Sequence, residues 1–276
     1  MTGHRDSLLT QVIDVARAAG TVILDVYEKE YEVIEKADGS PVTTADHRAH
    51  DVIVEQLQAL TPQTPIVSEE SKDIDTDQRL QWSQMWLVDP LDGTKEFIRR
   101  NGEFSVNIGL VEDGQPTLGV VYSPCSQTSY FAAQGTGAWR QVADASPEPI
   151  QVAPYDPARP RMVASRSHSG AAVSAFHDAL ATSSGHTPTI VSMGSALKVC
   201  VVAQGDADIY PRLGPTSEWD TCASHCVLSE AGGQLLDCSG AELGYNKASI
   251  LNPWFLAIGD PNFDWLALCP PEPASG

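Results

Sequence analysis

Apolar positions divide the chain into a helical beginning, a run of strands and a mixed second half. Leu8, Val12, Val15, Ala16, Ala19, Ile23 and Val26 recur at the spacing of one helix face, with Asp6 or Ser7 suited to cap it. Tyr31 and Val33 alternate into a short strand running toward Lys36, before a turn at Asp38-Gly39-Ser40-Pro41. A second helix opens at Thr43-Thr44 and carries Ala49, Ile53, Leu57 and Leu60 on one face. Pro65 to Ser68 reads as a strand, and the polar, acidic stretch from Ser71 to Gln84 as a mobile loop. Trp86-Leu87-Val88 reads as a buried strand that turns at Pro90. Phe104, Val106, Ile108 and Leu110, then Leu118, Val120 and Tyr122, then the segment from Tyr130, read as antiparallel strands, with a turn at Asp113-Gly114.

Ala143 to Arg161 holds five prolines and little pattern, which marks a boundary between a lobe of residues 1–153 and one of residues 154–276. Beyond it the pattern predicts a strand at Met162–Ala164, a helix around Ala172–Ala181 and a strand at Thr189–Val191. The turn Ser192 to Lys198 leads into a helix ending near Gly205, and Ile209–Arg212 reads as a strand. A helix at Ser217–Ala231 and strands at Gln234–Leu236 and Phe255–Ile258 follow, and the proline-rich tail after Cys269 is expected to fray. Periodicity alone thus gives mixed α and β elements without internal repeats.

Apolar content of 42% supports a real core, and 276 residues suit one large domain or two lobes. The net charge of −19 argues against non-specific binding of a nucleic-acid polymer, which needs a basic face. It leaves room for a small anionic substrate, since bound metal ions reverse the local sign of a site. The N-terminus has no apolar signal core, and no run reads as long enough to span a membrane. Six cysteines form no CxxC and no zinc spacing, and Cys222 and Cys226, one helical turn apart, read as buried small hydrophobes. These features predict a reduced cytoplasmic protein, compatible with peripheral association with the inner membrane, and say nothing of oligomeric state.

The candidate chemistry lies in acids at element ends. Asp89 and Asp92 sit three residues apart at the mouth of a strand, Glu69-Glu70 end another, and Asp46 and Asp220 fall in the first turns of two helices. With a backbone carbonyl such as that of Leu91 between them, they suit a hard cation that takes oxygen ligands. Each segment alone is equally an ordinary turn or an exposed acid pair. The two histidines His47 and His50 read as a solvated helix face.

Together and in this order, Asp46, Glu69-Glu70, Asp89-Pro90-Leu91-Asp92-Gly93-Thr94 and Trp219-Asp220 resemble the signature of the lithium-sensitive, magnesium-dependent phosphatases. That superfamily contains inositol monophosphatases, fructose-1,6-bisphosphatases and 3′(2′),5′-bisphosphate nucleotidases. The continuation Lys95-Glu96-Phe97 and Asn101-Gly102-Glu103-Phe104 is similar to the nucleotidase branch of bacterial CysQ type. The resemblance covers the chain from the first helix to Phe255. It implies an α+β fold, the layered αβαβα sugar-phosphatase sandwich in two lobes, and removal of the 3′-phosphate of adenosine 3′,5′-bisphosphate, with its sulfated precursor as a further substrate. It implies two Mg2+ ions, the first on Glu69, Asp89 and the Leu91 carbonyl, the second on Asp89, Asp92 and Asp220, and it allows a weaker third near Glu69. Thr94, oriented by Asp46 and supported by Glu70, would position the attacking water. Gly93, Thr94, Lys95, Ser195, Lys198, Arg212 and Asp220 would contact the substrate, and His168 its ribose or base. Ser224 stands where the family pattern has glycine, which puts phosphate affinity in question. An inositol monophosphatase with a polyol pocket and a catalytically silent nucleotide-binding module are the competing readings.

Overall fold

The computed structural model describes residues 2–29, 33–35, 41–71, 74–164 and 170–271. The predicted turn at residues 38–40, the segment Ser165 to His168 and the end of the tail lie outside them. Helix α1 (Thr2–Tyr27) starts ahead of its predicted caps, and β1 (Val33–Glu35) pairs antiparallel with β2 (Pro41–Thr43). Then come α2 (Thr44–Leu60), β3 (Ile66–Ser68), α3 (Thr76–Arg79), β4 (Gln84–Asp92) and α4 (Thr94–Ile98). Strands β5 (Ser105–Glu112), β6 (Gln115–Ser123), β7 (Thr128–Ala133), β8 (Ala138–Val142) and β9 (Glu148–Ile150) complete a seven-stranded sheet in sequential order. Its β3–β4 pair is parallel and the rest antiparallel. The second half contributes β10 (Arg161–Ala164), α5 (Ala171–Ser184), β11 (Thr189–Ser192), α6 (Leu197–Ala203), β12 (Ile209–Arg212), α7 (Glu218–Glu230), β13 (Gln234–Asp237) and β14 (Phe255–Ile258). Its sheet runs β11-β10-β12-β14-β13, and a 3₁₀ turn, Leu266–Leu268, follows.

The layers follow from which faces are apolar. Val12, Ala16, Ala19 and Ile23 of α1 and Ala49, Ile53 and Leu57 of α2 bury against Trp86, Val88, Ile108 and Val120 on one face of the large sheet. The other face takes α7, which with α6 fills the space between the two sheets. On the far side of the small sheet, Phe176 and Leu180 of α5 pack with Trp265 and Leu268. The order is therefore α, β, α, β, α, the layered α+β sandwich that the resemblance implies.

Four local expectations are corrected. Strand β4 does not turn at Pro90 but continues to Asp92 with a register shift between Asp89 and Asp92. Its parallel partner β3 ends opposite Val88, so beyond that point no ladder bond on that side is lost to a residue without an N–H. The stretch from Ser71 to Gln84 is not merely a loop, because it holds α3, whose Arg79 is buried and donates to the Asn246 Oδ1 and the Lys247 carbonyl. Strand β9 lies within Ala143 to Arg161, the stretch with little pattern, where it pairs with β8. Lastly, Arg5–Tyr27 within α1 is long and apolar enough to cross a membrane, contrary to the sequence reading. Its apolar stripe is spent on the core, as expected of a buried helix in a layered domain.

Helix α7 reaches the large sheet only because of small residues beneath it. A Cβ placed on Gly119 of β6 would lie 2.2 Å from the Ala223 carbonyl oxygen and 2.9 Å from the Cys226 Cβ. The obstructing atom is helix backbone, which cannot rotate away. Gly119→Ala should therefore cost on the order of 2–3 kcal/mol of stability, read as a lower urea midpoint at unchanged m-value.

Candidate active site

The site is assembled from strand ends and helix starts. Because β3 and β4 are parallel, Glu69 and Asp89 leave the sheet at the same end, and the Glu69 N–H donates to the Val88 carbonyl at 3.0 Å. Buried Asp89 accepts the Leu91 N–H on Oδ1 at 3.1 Å, within the register shift between Asp89 and Asp92. Asp92 accepts on Oδ2 from the Asn107 amide at 3.2 Å and from the Ala196 backbone N–H, so the second half of the chain touches this acid directly. Asp46 and Asp220 share one design. Each occupies the third position of its helix, α2 or α7, and one carboxylate oxygen accepts the backbone N–H of Thr43 or of Ser217, both at 2.8 Å. One oxygen holds the helix start and the other is left to the site. On Asp46 that second oxygen, Oδ1, meets the Thr94 hydroxyl at 3.2 Å, and the same hydroxyl lies 3.4 Å from the Leu91 carbonyl.

Carboxylate oxygens of Glu69, Asp89 and Asp220 all lie within 4.8 Å of one another. Burial, and then the charges of Glu69, Asp92 and Asp220, hold the Asp89 carboxyl well above the ordinary range. Burial and the neighbouring Asp92 push Asp220 up to about 7. Asp92 is raised by burial against the opposing pull of Lys198, Asn107 and the Ala196 N–H. Asp46 is raised by burial, with a smaller contribution from Glu70. Oxygen donors packed against their mutual repulsion are the chemistry of a divalent-cation site, where the ion supplies the charge that the acids lack. Around them is a cleft of about 570 Å³ lined also by Leu91, Asp92, Gly93, Thr94, Lys95 and Glu96. Gly93 opens α4 in the left-handed conformation, and Lys95 stands exposed beside it.

A second pocket, of about 390 Å³, shares Asp92 and Asp220 with the first and adds Ser195, Lys198, Tyr210, Arg212 and Thr216. Lys198 is 8% exposed, donates to the Ser195 carbonyl at 2.6 Å and lies 5.5 Å from the centre of the Tyr210 ring. Arg212 donates to the Pro215 carbonyl at 2.8 Å. Among the described residues neither cation is the member of a surface ion pair. Ser195 takes a left-handed φ of 50°, and Glu70 donates its N–H to the Ser68 hydroxyl at 3.4 Å. His168 lies outside the described residues. Ser224 lines neither pocket, as it is fully buried in α7 with its hydroxyl on the Thr221 carbonyl at 3.1 Å.

Several supporting groups escape a reading from sequence. Asn107 and Ser105, which bond each other at 2.9 Å, are buried on the face of β5 opposite its apolar stripe. Two polar residues at i and i+2 in an otherwise apolar strand are the signal that would have found them. His50 is not simply solvated, because its Nδ1 meets the Ser68 hydroxyl at 2.9 Å and burial lowers its pKa. Two residues before Asp220, wholly buried Glu218 accepts from the N–H groups of Asn246 and Lys247 and from the Lys247 ammonium at 2.7 Å. Those bonds fix the first turn of α7 and with it Asp220.

Residues 4–256 match the model of the inositol monophosphatase family. The chain is 47% identical over 251 residues to the 3′(2′),5′-bisphosphate nucleotidase CysQ of Escherichia coli (strain K12), covering 90% of this chain and 98% of that protein. The structure resembles that of CysQ from Bacteroides thetaiotaomicron, described as a bacterial member of the inositol monophosphatase family, with a TM-score of 0.82 and 40% identity over 92% of this chain and 97% of that one. An inositol monophosphatase from Anabaena (Nostoc) sp. PCC 7120 follows at a TM-score of 0.75 and 26% identity, covering 96% and 94%.

Two outcomes test this geometry. Asn107→Ala leaves Asp92 without its side-chain donor, and kcat/KM should fall about tenfold to a hundredfold with the fold intact by circular dichroism. A carboxyl whose folded pKa lies above its unfolded value near 3.8 weakens the metal-free protein as pH rises through the folded value, for Asp220 about 7. Protons and a divalent cation compete for these acids, so the rise in melting temperature on adding Mg2+ should be larger at pH 8 than at pH 5.5. An equal rise at both values would contradict the assignment of the buried acids as ligands.

Proposed function

The chain belongs to the inositol monophosphatase family, and on that premise we propose that it is a Mg2+-dependent 3′(2′),5′-bisphosphate nucleotidase. It hydrolyses the 3′-phosphate of adenosine 3′,5′-bisphosphate, and as a second candidate that of 3′-phosphoadenylyl sulfate, by direct attack of water. The observation that carries this reading is the junction of two pockets at Asp92 and Asp220, one lined by acids and the other by a buried lysine with an arginine. A substrate with two phosphates spans such a junction, whereas a polyol monophosphate leaves the Lys198 pocket without an anion. The relatives named as 3′(2′),5′-bisphosphate nucleotidases support the same choice.

Glu69, Asp89, the Leu91 carbonyl, Asp92 and Asp220 would hold two Mg2+ ions, which would supply charge neutralisation for the phosphate and a more acidic water. The chain's own groups do the rest. The Thr94 hydroxyl has one proton, and when it is donated to Asp46 Oδ1 the oxygen's lone pairs are left to accept from the attacking water. The proton lost by that water then passes through Thr94 Oγ1 to Asp46 Oδ1, a carboxyl that burial makes readier to take it. Thr43 keeps hold of Oδ2 at 2.7 Å throughout, so the acid does not swing away. Glu70 adds negative charge close to Asp46, in an outer role. Ser195, Lys198 and Arg212 hold the phosphate that stays on the nucleotide, while Gly93 and Lys95 border the one that leaves. In this reading the residues before 154 carry most of the metal ligands, and those after it carry Asp220 and the substrate contacts. A cytoplasmic enzyme recycling a by-product of sulfate assimilation fits these properties.

Phosphate release from adenosine 3′,5′-bisphosphate and from inositol 1-phosphate, measured side by side with Mg2+ and with chelator, tests the proposal. Release should require Mg2+ and strongly favour the nucleotide, and Asp89→Asn should bring it to background. Preference for inositol phosphate would overturn the second pocket's role, and full activity of Asp89→Asn would overturn the ligand set.

A further inference from the structure

Cys200, Cys222 and Cys226 are buried within the layers, and Cys125 is exposed. Cys238 and Cys269 differ from all of these. They are partly exposed, and their Sγ atoms lie 2.7 Å apart although the residues are 31 positions apart in the chain. A bond between the two sulfurs needs less than about 1 Å of approach.

Each sulfur is held in place by local structure of its own. Cys238 opens a turn organised by Asp237, whose Oδ1 accepts the N–H groups of Ser239 and Ala241 and the Ser239 hydroxyl. The turn closes with the Gly240 N–H on the Asp237 carbonyl, and a Cβ on Gly240 would lie 2.9 Å from the Leu266 side chain. The turn is thus pressed against the 3₁₀ segment that carries the second cysteine. Cys269 donates its N–H to the Leu266 carbonyl, and the neighbouring Trp265 and Leu268 are buried against Phe176 and Leu180. Neither cysteine has to be ordered to meet the other, so the effective concentration of one thiol at the other is high.

We propose that Cys238 and Cys269 form a disulfide-forming modification site that ties the C-terminal segment to the edge strand β13. The oxidant is a low-molecular-weight disulfide, RSSR. The thiolate of one cysteine attacks RSSR, forming a mixed disulfide and releasing one RSH. The thiolate of the other attacks the protein sulfur of that adduct, forming the Cys238–Cys269 bond and releasing a second RSH. Two protein thiols are oxidised and one RSSR is reduced, and the two thiol protons leave on the RSH molecules. Across the small sheet Asp237, Phe255 and Arg212 are paired in one rung, and Cys238 follows directly. The bond therefore restrains the edge strand β13, which is separated by β14 alone from the end of β12 at Arg212.

The experiment uses the full chain carrying Cys125→Ser, which removes the exposed competitor, incubated with oxidised glutathione at pH 8. Non-reducing peptide mapping should find one linked pair joining Cys238 and Cys269, with the loss of two titratable thiols. The melting temperature should rise by about 5 °C and fall back on adding dithiothreitol. Cys238→Ser and Cys269→Ser, each melting like the reduced parent, should lose both the linked pair and the rise. Stable glutathione adducts on both cysteines with no linked pair would overturn the proposal. So would a linked pair that forms without moving the melting temperature. None of these readouts uses enzymatic turnover, so they stand apart from the nucleotidase reading.

Discussion

The structure is built around acids that repel one another. Glu69, Asp89, Asp92 and Asp220 converge at one cleft, and burial raises three of them above the ordinary carboxylate range, with the charge of their neighbours adding to it for Asp89 and Asp220. Left to themselves such groups would turn toward water. They stay because Leu91, Ala196 and Ser217 spend backbone N–H groups on them and Asn107 spends its amide. The acids are thereby held in an arrangement that suits a divalent cation, whose charge would relieve their repulsion.

Assembly of the site and packing of the layers are the same event. Asp89 and Asp92 come from the seven-stranded sheet, while Asp220 and the N–H of Ala196 come from the second half of the chain. Helix α7 delivers Asp220 only by lying closely against β5 and β6, which is why Gly119 has no room for a side chain. Glu218, held by Lys247, and Arg79, which reaches the same 246–248 segment, brace that helix start from below. A change far from the cleft that shifts α7 by a fraction of an ångström alters the spacing of charges at its centre.

What the sequence shows is what depends on neighbours along the chain. An acid at a strand end or in a helix's first turn is a local signal that reads as an ordinary turn or cap. It is the order of Asp46, Glu69, Asp89, Asp92 and Asp220 along the chain, through the family resemblance, that singles them out. The helical and strand periods placed most elements of both sheets. Pro90 was misread because the local rule says that proline stops a strand. The relevant fact is that β3 ends at Ser68, which the chain around residue 90 does not reveal. Arg79 was hidden in a polar stretch that looked mobile, since its partners lie more than 160 positions away. Asn107 was passed over because the apolar face of β5 dominated the pattern, and the meaning of the other face appears only when Asp92 is set beside it.

The charge of the whole molecule and the charge of its substrate look incompatible, and the geometry resolves this. A protein of net charge −19 repels a nucleotide bisphosphate at long range. At physiological ionic strength that field is screened beyond about 8 Å, so affinity is decided inside the pockets. There the proposed ions offset the acids, and Lys198 lies buried with its ammonium against the Ser195 carbonyl and the Tyr210 ring. With Asp92 and Asp220 taken up by those ions, the buried Lys198 ammonium, which otherwise faces Asp92, would need a substrate anion to match it. In the proposed reading a bisphosphate matches that buried charge and a monophosphate does not, which would set the discrimination between them.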